Sequence, residues 1–273
     1  MIKCNNWPIS VCTWSLKNDF DKLASLREQT QVNHLHLGLS PALAADGDKY
    51  LRTIEAQGWK ISATMMDFPQ EDYSTLDNIK ITGGIIPDDC WDDNRKRVID
   101  GIAITADLGV DYLSLHLGFI DMDDQQALTK ISNRTIELAE AAKEKNIMLL
   151  LETGQETAEE LKSFLEQLNH PAIGVNFDPA NMILYDKGHP AQAIEILKSW
   201  VKHLHIKDAI RTETKGTWGS EVPWTTGQVN SAEFLKILKT TGYSGAVAIE
   251  REAGDDRLGD IKSAVESLKS FAG

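Results

Sequence analysis

Strand-like and helix-like segments alternate along the whole chain, and this alternation constrains the fold more than any other feature. Eight apolar stretches are typical of buried strands, for example LLLE ending at Glu152 and VNFD ending at Asp178, and amphipathic stretches separate them. Gly58 and Gly109 follow two of the predicted helices as stop signals. Eight strand–helix repeats in 273 residues predict one α/β domain, a single (β/α)8 TIM barrel over residues 1–273.

A doubly wound sheet is the alternative α/β fold, and it fits less well. Such a sheet usually has fewer repeats and a glycine-rich first turn that binds phosphate. Neither GxGxxG nor GxxxxGK[ST] occurs in this chain. The barrel is therefore the predicted architecture.

Two long loops are predicted between the regular elements. One follows the third strand, KISATMMDF, and contains Pro69 and Gly84. The other follows the seventh strand, VKHLHIKD, and ends at a helix for which Ser231 is the expected N-cap. This second loop contains Trp218 and Glu221, and it could form a lid over the barrel mouth or a solvated rim.

Four predicted strands end in a side chain that can bind a hard or borderline metal ion. They are the fifth to eighth strands, and the side chains are Glu152, Asp178, His205 and Glu250. The C-terminal ends of barrel strands converge on one mouth, so these residues can meet around one ion. Three oxygen ligands and an imidazole suit Mn, Mg, Co or Zn and leave open positions for substrate oxygens. His203 shares a strand face with His205, and His205 is preferred as the ligand because it lies nearer the mouth.

Each predicted ligand also has a structural alternative. Glu152 could be an exposed strand-end residue, and Asp178, which precedes a proline, could be a helix N-cap. Glu250 could form an ion pair with Arg251 or Lys207. The occurrence of all four ligand types on successive strands favours one divalent metal site over four independent structural roles.

The balance of charge bears on partners and location. Lys and Arg number 28 and Asp and Glu 41, which gives a net charge of −13, and no basic run offers a local patch for nucleic acid. The sequence has no apolar stretch long enough for a bilayer, and MIKCNNWPIS lacks the apolar core of a signal peptide. We expect a cytoplasmic protein without a nucleic-acid or membrane partner. Its three sparse cysteines argue against disulfides and a structural zinc site.

The strand ends belong to longer motifs, LLLET, NFDPANMILY, HLHIKDA and AIEREAG. These motifs resemble the sugar phosphate isomerase/epimerase family of xylose isomerase-like TIM barrels. The resemblance follows the strand order along the whole chain and is most specific between Leu149 and Gly254. It implies the metal ligands Glu152, Asp178, His205 and Glu250. Asn181 stands where several characterised epimerases have a histidine, and no basic cluster supports a phosphorylated substrate.

The resemblance implies a metal-dependent isomerase or epimerase acting on a small sugar or keto-sugar. Proton transfer next to a carbonyl would pass through a metal-stabilised enediolate. Glu152 and Glu250 would be the acid/base pair, and Lys207 could stabilise the enediolate charge. If a leaving group lies β to the acidified carbon, the outcome is a lyase, either a keto-inositol dehydratase or a 3-keto-glycoside eliminase. Motif spacing does not separate isomerase from lyase.

Five further residues are candidate substrate contacts. His116, at the end of the fourth strand, and His36, in the second, could hydrogen-bond the substrate or be core histidines. Trp14 could form an apolar wall for a sugar ring or pack inside the barrel. Asn181 follows Asp178 in the DPAN motif, and Arg211 could bind a carboxylate or phosphate.

Two other functional classes are compatible with the barrel. One is endonuclease IV-like repair of abasic DNA, which needs three metal ions and additional His and Asp ligands. This chain lacks the DxH pair expected after the seventh strand, and its negative charge is unsuitable. The other is a non-catalytic sugar-binding barrel, against which the presence of all four ligands argues. A homo-oligomer is compatible with either class.

Overall fold

The computed structural model describes residues 2–271 and contains a closed barrel of eight parallel strands. The strands are β1 (Trp7–Cys12), β2 (His34–Gly38), β3 (Lys60–Met66), β4 (Tyr112–Leu115), β5 (Met148–Glu152), β6 (Ile173–Phe177), β7 (Val201–Ile206) and β8 (Val247–Ile249). The barrel closes because β1 pairs with both β2 and β8. The predicted (β/α)8 fold is thus confirmed.

Helices surround the barrel and connect its strands. They are α1 (Phe20–Thr30), α2 (Gly47–Ala56), α3 (Leu76–Thr82), α4 (Trp91–Asp107), α5 (Gln125–Glu144), α6 (Ala158–Leu168), α7 (Pro179–Leu184), α8 (Pro190–Leu197), α9 (Ser231–Thr240) and α10 (Arg257–Ser270). Side-chain caps begin several of them. At α6, Thr157 and Glu160 form a capping box, and at α1 the Asp19 side chain accepts from two backbone N–H groups. Within residues 2–271, no helix combines the length and apolarity needed to cross a bilayer.

Burial on both faces explains why the strands are continuous apolar runs. Leu149, Leu150 and Leu151 on β5 are each at most 1% exposed, because successive side chains point alternately to the barrel interior and to the helices. Truncation of such a buried leucine to alanine costs about 2–5 kcal/mol of unfolding free energy. The core therefore fixes where each strand ends and which side chain it delivers to the mouth.

The predicted long loops contain regular structure. Helix α3 forms in the loop after β3 because the Thr75 side chain caps it at Asn78 N. The loop after β7 folds into an antiparallel hairpin of Asp208–Ile210 with Ser220–Val222. The prediction of Ser231 as N-cap is wrong by one residue. Asn230 occupies that position in the left-handed region, with φ of 56°, which asparagine tolerates better than most residues.

Candidate active site

Four buried side chains converge at the C-terminal end of the barrel. Glu152 ends β5, Asp178 follows β6, His205 lies on β7 and Glu250 follows β8, and one ligand atom from each lies within 4.8 Å of every other. The Nδ1 atom of His205 is 3.4 Å from Glu152 Oε1, 3.8 Å from Asp178 Oδ2 and 3.2 Å from Glu250 Oε2. The four residues that the sequence nominated as metal ligands thus meet at one point.

The atoms that face this point fit a divalent cation. Asp178 Oδ2 and His205 Nδ1 are buried without a hydrogen-bond partner among residues 2–271, whereas Glu250 Oε2 has the Lys207 ammonium 2.9 Å away. Each such unsatisfied atom costs about 1–3 kcal/mol of stability, so it calls for a partner. Two glutamates, an aspartate and an imidazole are a donor set suited to Mn, Mg, Co or Zn.

The two carboxylate oxygens of Asp178 have different roles, one in capping a helix and one in the candidate metal site. Oδ1 accepts from Ala180 N at 2.7 Å and from Asn181 N at 3.2 Å, and so caps α7, which has Pro179 at its start. Oδ2 faces the cluster. The N-cap alternative for Asp178 is therefore correct, and the same residue still offers one oxygen to a cation.

The His205 ring is oriented by a contact with a second histidine deeper in the barrel. Its Nε2 lies 2.9 Å from Nδ1 of His36, whose own Nε2 lies 2.9 Å from Ser114 Oγ. Ser114 donates to Thr64 O, so its oxygen can accept from His36 Nε2–H. In that arrangement His36 Nδ1 accepts from His205 Nε2–H, and the lone pair of His205 Nδ1 faces the three carboxylates.

His203 has a different partner set from its neighbour. Its Nδ1 lies 2.9 Å from Asn176 Oδ1, and its Nε2 lies 3.0 Å from Ser62 Oγ. Asn176 in turn donates to Glu152 Oε2 at 3.2 Å. Both ring nitrogens of His203 are therefore engaged, whereas His205 has a free one.

Charges in the cluster shift one another's pKa. Burial raises the pKa of Glu250, but Lys207 and His205 outweigh it and hold that pKa well below its usual range. Burial likewise opposes ionisation of Glu152, whose pKa is lowered overall by His116 and His205. Burial lowers the pKa of His205, yet Glu250 and its neighbours raise it well above the usual value. The carboxylates thus favour a positive charge at His205, a charge that a cation at Nδ1 would take over.

Each glutamate is oriented by a neutral donor. Trp14 Nε1 donates to Glu250 Oε1 at 2.6 Å, and Asn181 Nδ2 donates to Glu152 Oε1 at 3.2 Å. Lys207 Nζ lies 2.9 Å from the second oxygen of Glu250. The two carboxylates therefore have fixed orientations and different electrostatic surroundings.

A cavity of about 860 Å³ opens above the cluster. Four other residues singled out in the sequence line it, namely Trp14, His116, Asn181 and Lys207. His36 and Arg211 do not. His36 is fully buried behind His205, and Arg211 forms a salt bridge with Asp186 and donates to Gly188 O at 2.6 Å. The expectation that these two residues contact substrate is therefore not carried forward.

Several lining residues were not nominated by the sequence. Glu71 is the clearest, because Phe68 N and Gly84 N donate to its two oxygens at 3.2 and 3.0 Å, and burial raises its pKa. A side chain at Gly84 would place Cβ 2.2 Å from the Leu117 carbonyl carbon, so glycine permits this close approach. Tyr73 and Tyr185 complete this part of the wall. Their positions depend on loop conformation, which the strand pattern does not encode.

The hairpin after β7 contributes Trp218 and Glu221 to the wall. Glu221 Oε1 accepts from Arg251 Nη1 at 2.7 Å and from Glu252 N at 2.9 Å. Arg251 also donates to Asp260 at 2.8 Å. These contacts hold the hairpin against the loop after β8. Arg251 faces away from the four proposed metal ligands, as strand alternation predicts.

The protein is thus an α/β barrel with a cluster of side chains that could bind a metal ion at the C-terminal ends of its strands. The chain belongs to the family of xylose isomerase-like TIM barrels, whose model matches residues 28–271. No functionally curated protein matches the sequence.

Solved structures share the whole fold. A xylose isomerase domain protein from Planctomyces limnophilus is 27% identical, with a TM-score of 0.87 over 97% of this chain and 96% of its own. A xylose isomerase-like TIM barrel protein from Mycobacterium smegmatis, in complex with magnesium, is 18% identical, with a TM-score of 0.73 over 99% and 98%. A probable 3-DHS dehydratase from Bacillus anthracis is 16% identical, with a TM-score of 0.73 over 96% and 98%. An L-ribulose 3-epimerase is 17% identical, with a TM-score of 0.70 over 99% and 92%.

Proposed function

We propose that this protein is a divalent-metal-dependent isomerase or epimerase of a sugar or keto-sugar. The observation that carries the proposal is the convergence of Glu152, Asp178, His205 and Glu250, with Asp178 Oδ2 and His205 Nδ1 buried and unpaired among the described residues. An epimerase and a probable dehydratase share this fold, and one fold relative was solved in complex with magnesium. These likenesses agree with the site but carry less weight than its geometry.

Glu152 and Glu250 are the proposed acid/base pair, and both line the cavity above the cluster. Burial raises the pKa of Glu250, but Lys207 and His205 hold it well below its usual range, so this group is ionised at neutral pH, the form that a base requires. Trp14 and the Asn176/Asn181 pair hold the two carboxylates in fixed orientations. Proton removal by one and return by the other would either invert the carbon next to the substrate carbonyl or move the carbonyl to that carbon.

A bound divalent cation would supply Lewis-acid stabilisation of the negative charge that develops on the substrate oxygens. Lys207 is proposed to support the same charge from the other side. Its ammonium lies 2.9 Å from Glu250 and 3.0 Å from Glu252, and the pKa of Lys207 is well above its usual value because burial is outweighed by these carboxylates. It therefore remains protonated at neutral pH.

Elimination is the second candidate, because the same proton removal expels a leaving group β to the reacting carbon. The probable dehydratase from Bacillus anthracis shares the fold over nearly the whole chain. Isomerase and lyase chemistry would use the same two carboxylates, so they differ in what happens to the intermediate.

Solvent exchange in D2O tests the proposal. The protein is loaded with Mg, Mn, Co or Zn and incubated with a panel of ketoses, aldoses and keto-sugars, and the products are followed by NMR. Deuterium incorporation at a carbon next to the carbonyl is the expected result for an isomerase or epimerase. Loss of water or of an aglycone would identify the lyase. Activity that persists unchanged after complete chelation of metal would contradict the proposal.

A further inference from the structure

The cavity wall carries far more negative than positive charge. Six carboxylate side chains line it: Asp67, Glu71, Glu152, Glu221, Glu250 and Glu252. Lys207 is the single Lys or Arg among the lining residues in the described part of the chain. Apart from the proposed metal ligands Glu152 and Glu250, a phosphate or carboxylate on the substrate would therefore still face the carboxylates of Asp67, Glu71, Glu221 and Glu252.

The cations at or near the wall are already paired. Lys207 Nζ lies within 3.0 Å of both Glu250 and Glu252. Arg97, behind the wall, pairs with Asp67, and Arg251 pairs with Glu221 and Asp260. Phosphate binding in proteins relies on Arg or Lys groups whose donors are available to the ligand. Among residues 2–271, no lining guanidinium offers such donors.

Aromatic side chains form the outer part of the same cavity. The ring centroids of Tyr185 and Trp218 are 4.7 Å apart, and those of Trp218 and Tyr73 are 6.4 Å apart. Tyr73 is 44% exposed and lines the cavity, so part of its ring is open to a ligand. The Nε1 atom of Trp218 is buried and has no hydrogen-bond acceptor among the described residues. We call Tyr73, Tyr185 and Trp218 the aromatic wall.

The aromatic wall lies one layer outside the predicted ligands. His116 Nε2 is 3.8 Å from Glu152 Oε1, and the His116 ring centroid is 6.2 Å from that of Tyr73. A sugar ring bound at the carboxylates would reach His116 and the near edge of the wall. The volume of about 860 Å³ lies in the upper part of the range for pockets that hold drug-sized ligands, which leaves room beyond one sugar ring.

We propose that the substrate is an uncharged glycoside that carries a keto group on the ring held at Glu152 and Glu250, that its second ring stacks on the aromatic wall, and that phosphorylated sugars are rejected. This inference rests on the proposed function, because it places the reacting ring at Glu152 and Glu250. The second ring is either a sugar or an aromatic aglycone, since both present a flat face to aromatic side chains. The wall thus determines substrate size, and the acidic lining determines substrate charge.

Calorimetric titration of the metal-loaded protein tests the proposal. The probes are matched methyl and phenyl β-glycosides of glucose, galactose and xylose, the disaccharide cellobiose, and glucose with glucose 6-phosphate. We expect a phenyl glycoside to bind about three- to tenfold more tightly than its methyl partner. If cellobiose binds more tightly than the phenyl glycoside, the second ring of the substrate is a sugar. Glucose 6-phosphate should bind more weakly than glucose.

Variants locate the effect. Trp218→Ala should abolish the preference for the second ring, whereas Trp218→Phe should keep most of it. Trp91→Phe is the matched control, because Trp91 stacks with Arg134 outside the cavity. Circular dichroism confirms that each variant is folded.

The proposal is overturned if no glycoside binds, if second-ring and methyl ligands bind alike in every pair, or if glucose 6-phosphate binds more tightly than glucose. Failure of the proposed function gives a different pattern. In that case the preference for a second ring persists in protein stripped with EDTA, while no metal-dependent solvent exchange is found with any sugar.

Discussion

The Nε2 atom of His205 lies 2.9 Å from the Nδ1 atom of His36, deep inside the barrel. This contact fixes the His205 ring so that its other nitrogen, Nδ1, faces Glu152, Asp178 and Glu250. A metal-binding histidine usually has its second nitrogen held in this way, although the usual acceptor is a carboxylate or a carbonyl. His36 is therefore a positioning residue for the proposed metal centre.

Replacement of His36 should weaken metal binding without touching the ligands. We expect His36→Ala to lower Mn²⁺ affinity about 10- to 100-fold, the usual effect of losing such a partner. His36→Gln should recover part of the loss, because its amide oxygen can still accept from His205. Competition with a fluorescent chelator measures the affinity. An unchanged affinity in a folded His36→Ala protein would remove the positioning role.

Glu152→Gln should abolish turnover while the barrel stays folded. The amide keeps the size of the side chain but cannot act as a base, so we expect a loss of about 100-fold or more in kcat. Glu159→Gln, an exposed change on α6, is the matched control. Solvent exchange with whichever sugar proves active is the measurement, and near-normal exchange in Glu152→Gln would exclude this residue from the acid/base pair.

The two histidines of β7 should respond differently to truncation. His205→Ala removes a proposed ligand and should lower metal affinity by more than about 100-fold, the upper end of the effect expected for a mere partner residue. His203→Ala removes the partner of the buried Asn176 Oδ1, and should cost about 1–3 kcal/mol of unfolding free energy with a smaller effect on metal affinity. Metal titration and urea unfolding of both variants give the comparison, and the reverse pattern would move the ligand role to His203.

Glu156 should make the metal-free protein less stable as pH rises. Burial raises the pKa of this carboxyl to about 7 in the folded protein, with His116 partly offsetting it. The folded state therefore binds the proton more tightly than the unfolded state, so its contribution is complete below about pH 4.5 and declines until about pH 7. The decline is about 3 kcal/mol, which follows from 1.36 kcal/mol per pKa unit.

Glu156→Gln should remove that part of the pH dependence. Urea unfolding at pH 5 and pH 8 in EDTA measures it, with Glu159→Gln as the exposed control. The difference in unfolding free energy between the wild type and Glu156→Gln should decrease from pH 5 to pH 8. A constant difference would mean that the buried carboxyl does not titrate in this range.

The strand order, and the meeting of the four proposed metal ligands at one mouth, could be predicted from the sequence because both depend on short-range pattern. The three leucines before Glu152 require a strand buried on both faces, and a barrel brings all such strand ends to one mouth. The depth of His36 could not be read in this way. It depends on the stagger between β2 and β7, on opposite parts of the barrel, which no local pattern specifies.

The residues that line the outer part of the cavity could not be predicted from the sequence either. Glu71 and Tyr73 lie in a loop that sequence patterns predict only as irregular, and their positions depend on backbone donors such as Gly84 N. Arg211 illustrates the opposite error. It follows β7 closely in sequence and has suitable chemistry, but Asp186 and the Gly188 carbonyl oxygen bind its guanidinium away from the mouth.

The division of labour within Asp178 has an evolutionary consequence. Oδ1 caps α7, whereas only Oδ2 faces the other three proposed metal ligands. Asparagine at this position would keep the capping oxygen and replace the other with an amide nitrogen, which repels cations. Under the proposed function, a descendant of this chain could therefore become catalytically silent through the exchange of one atom, with its architecture intact, and it would pass for a working enzyme by shape alone.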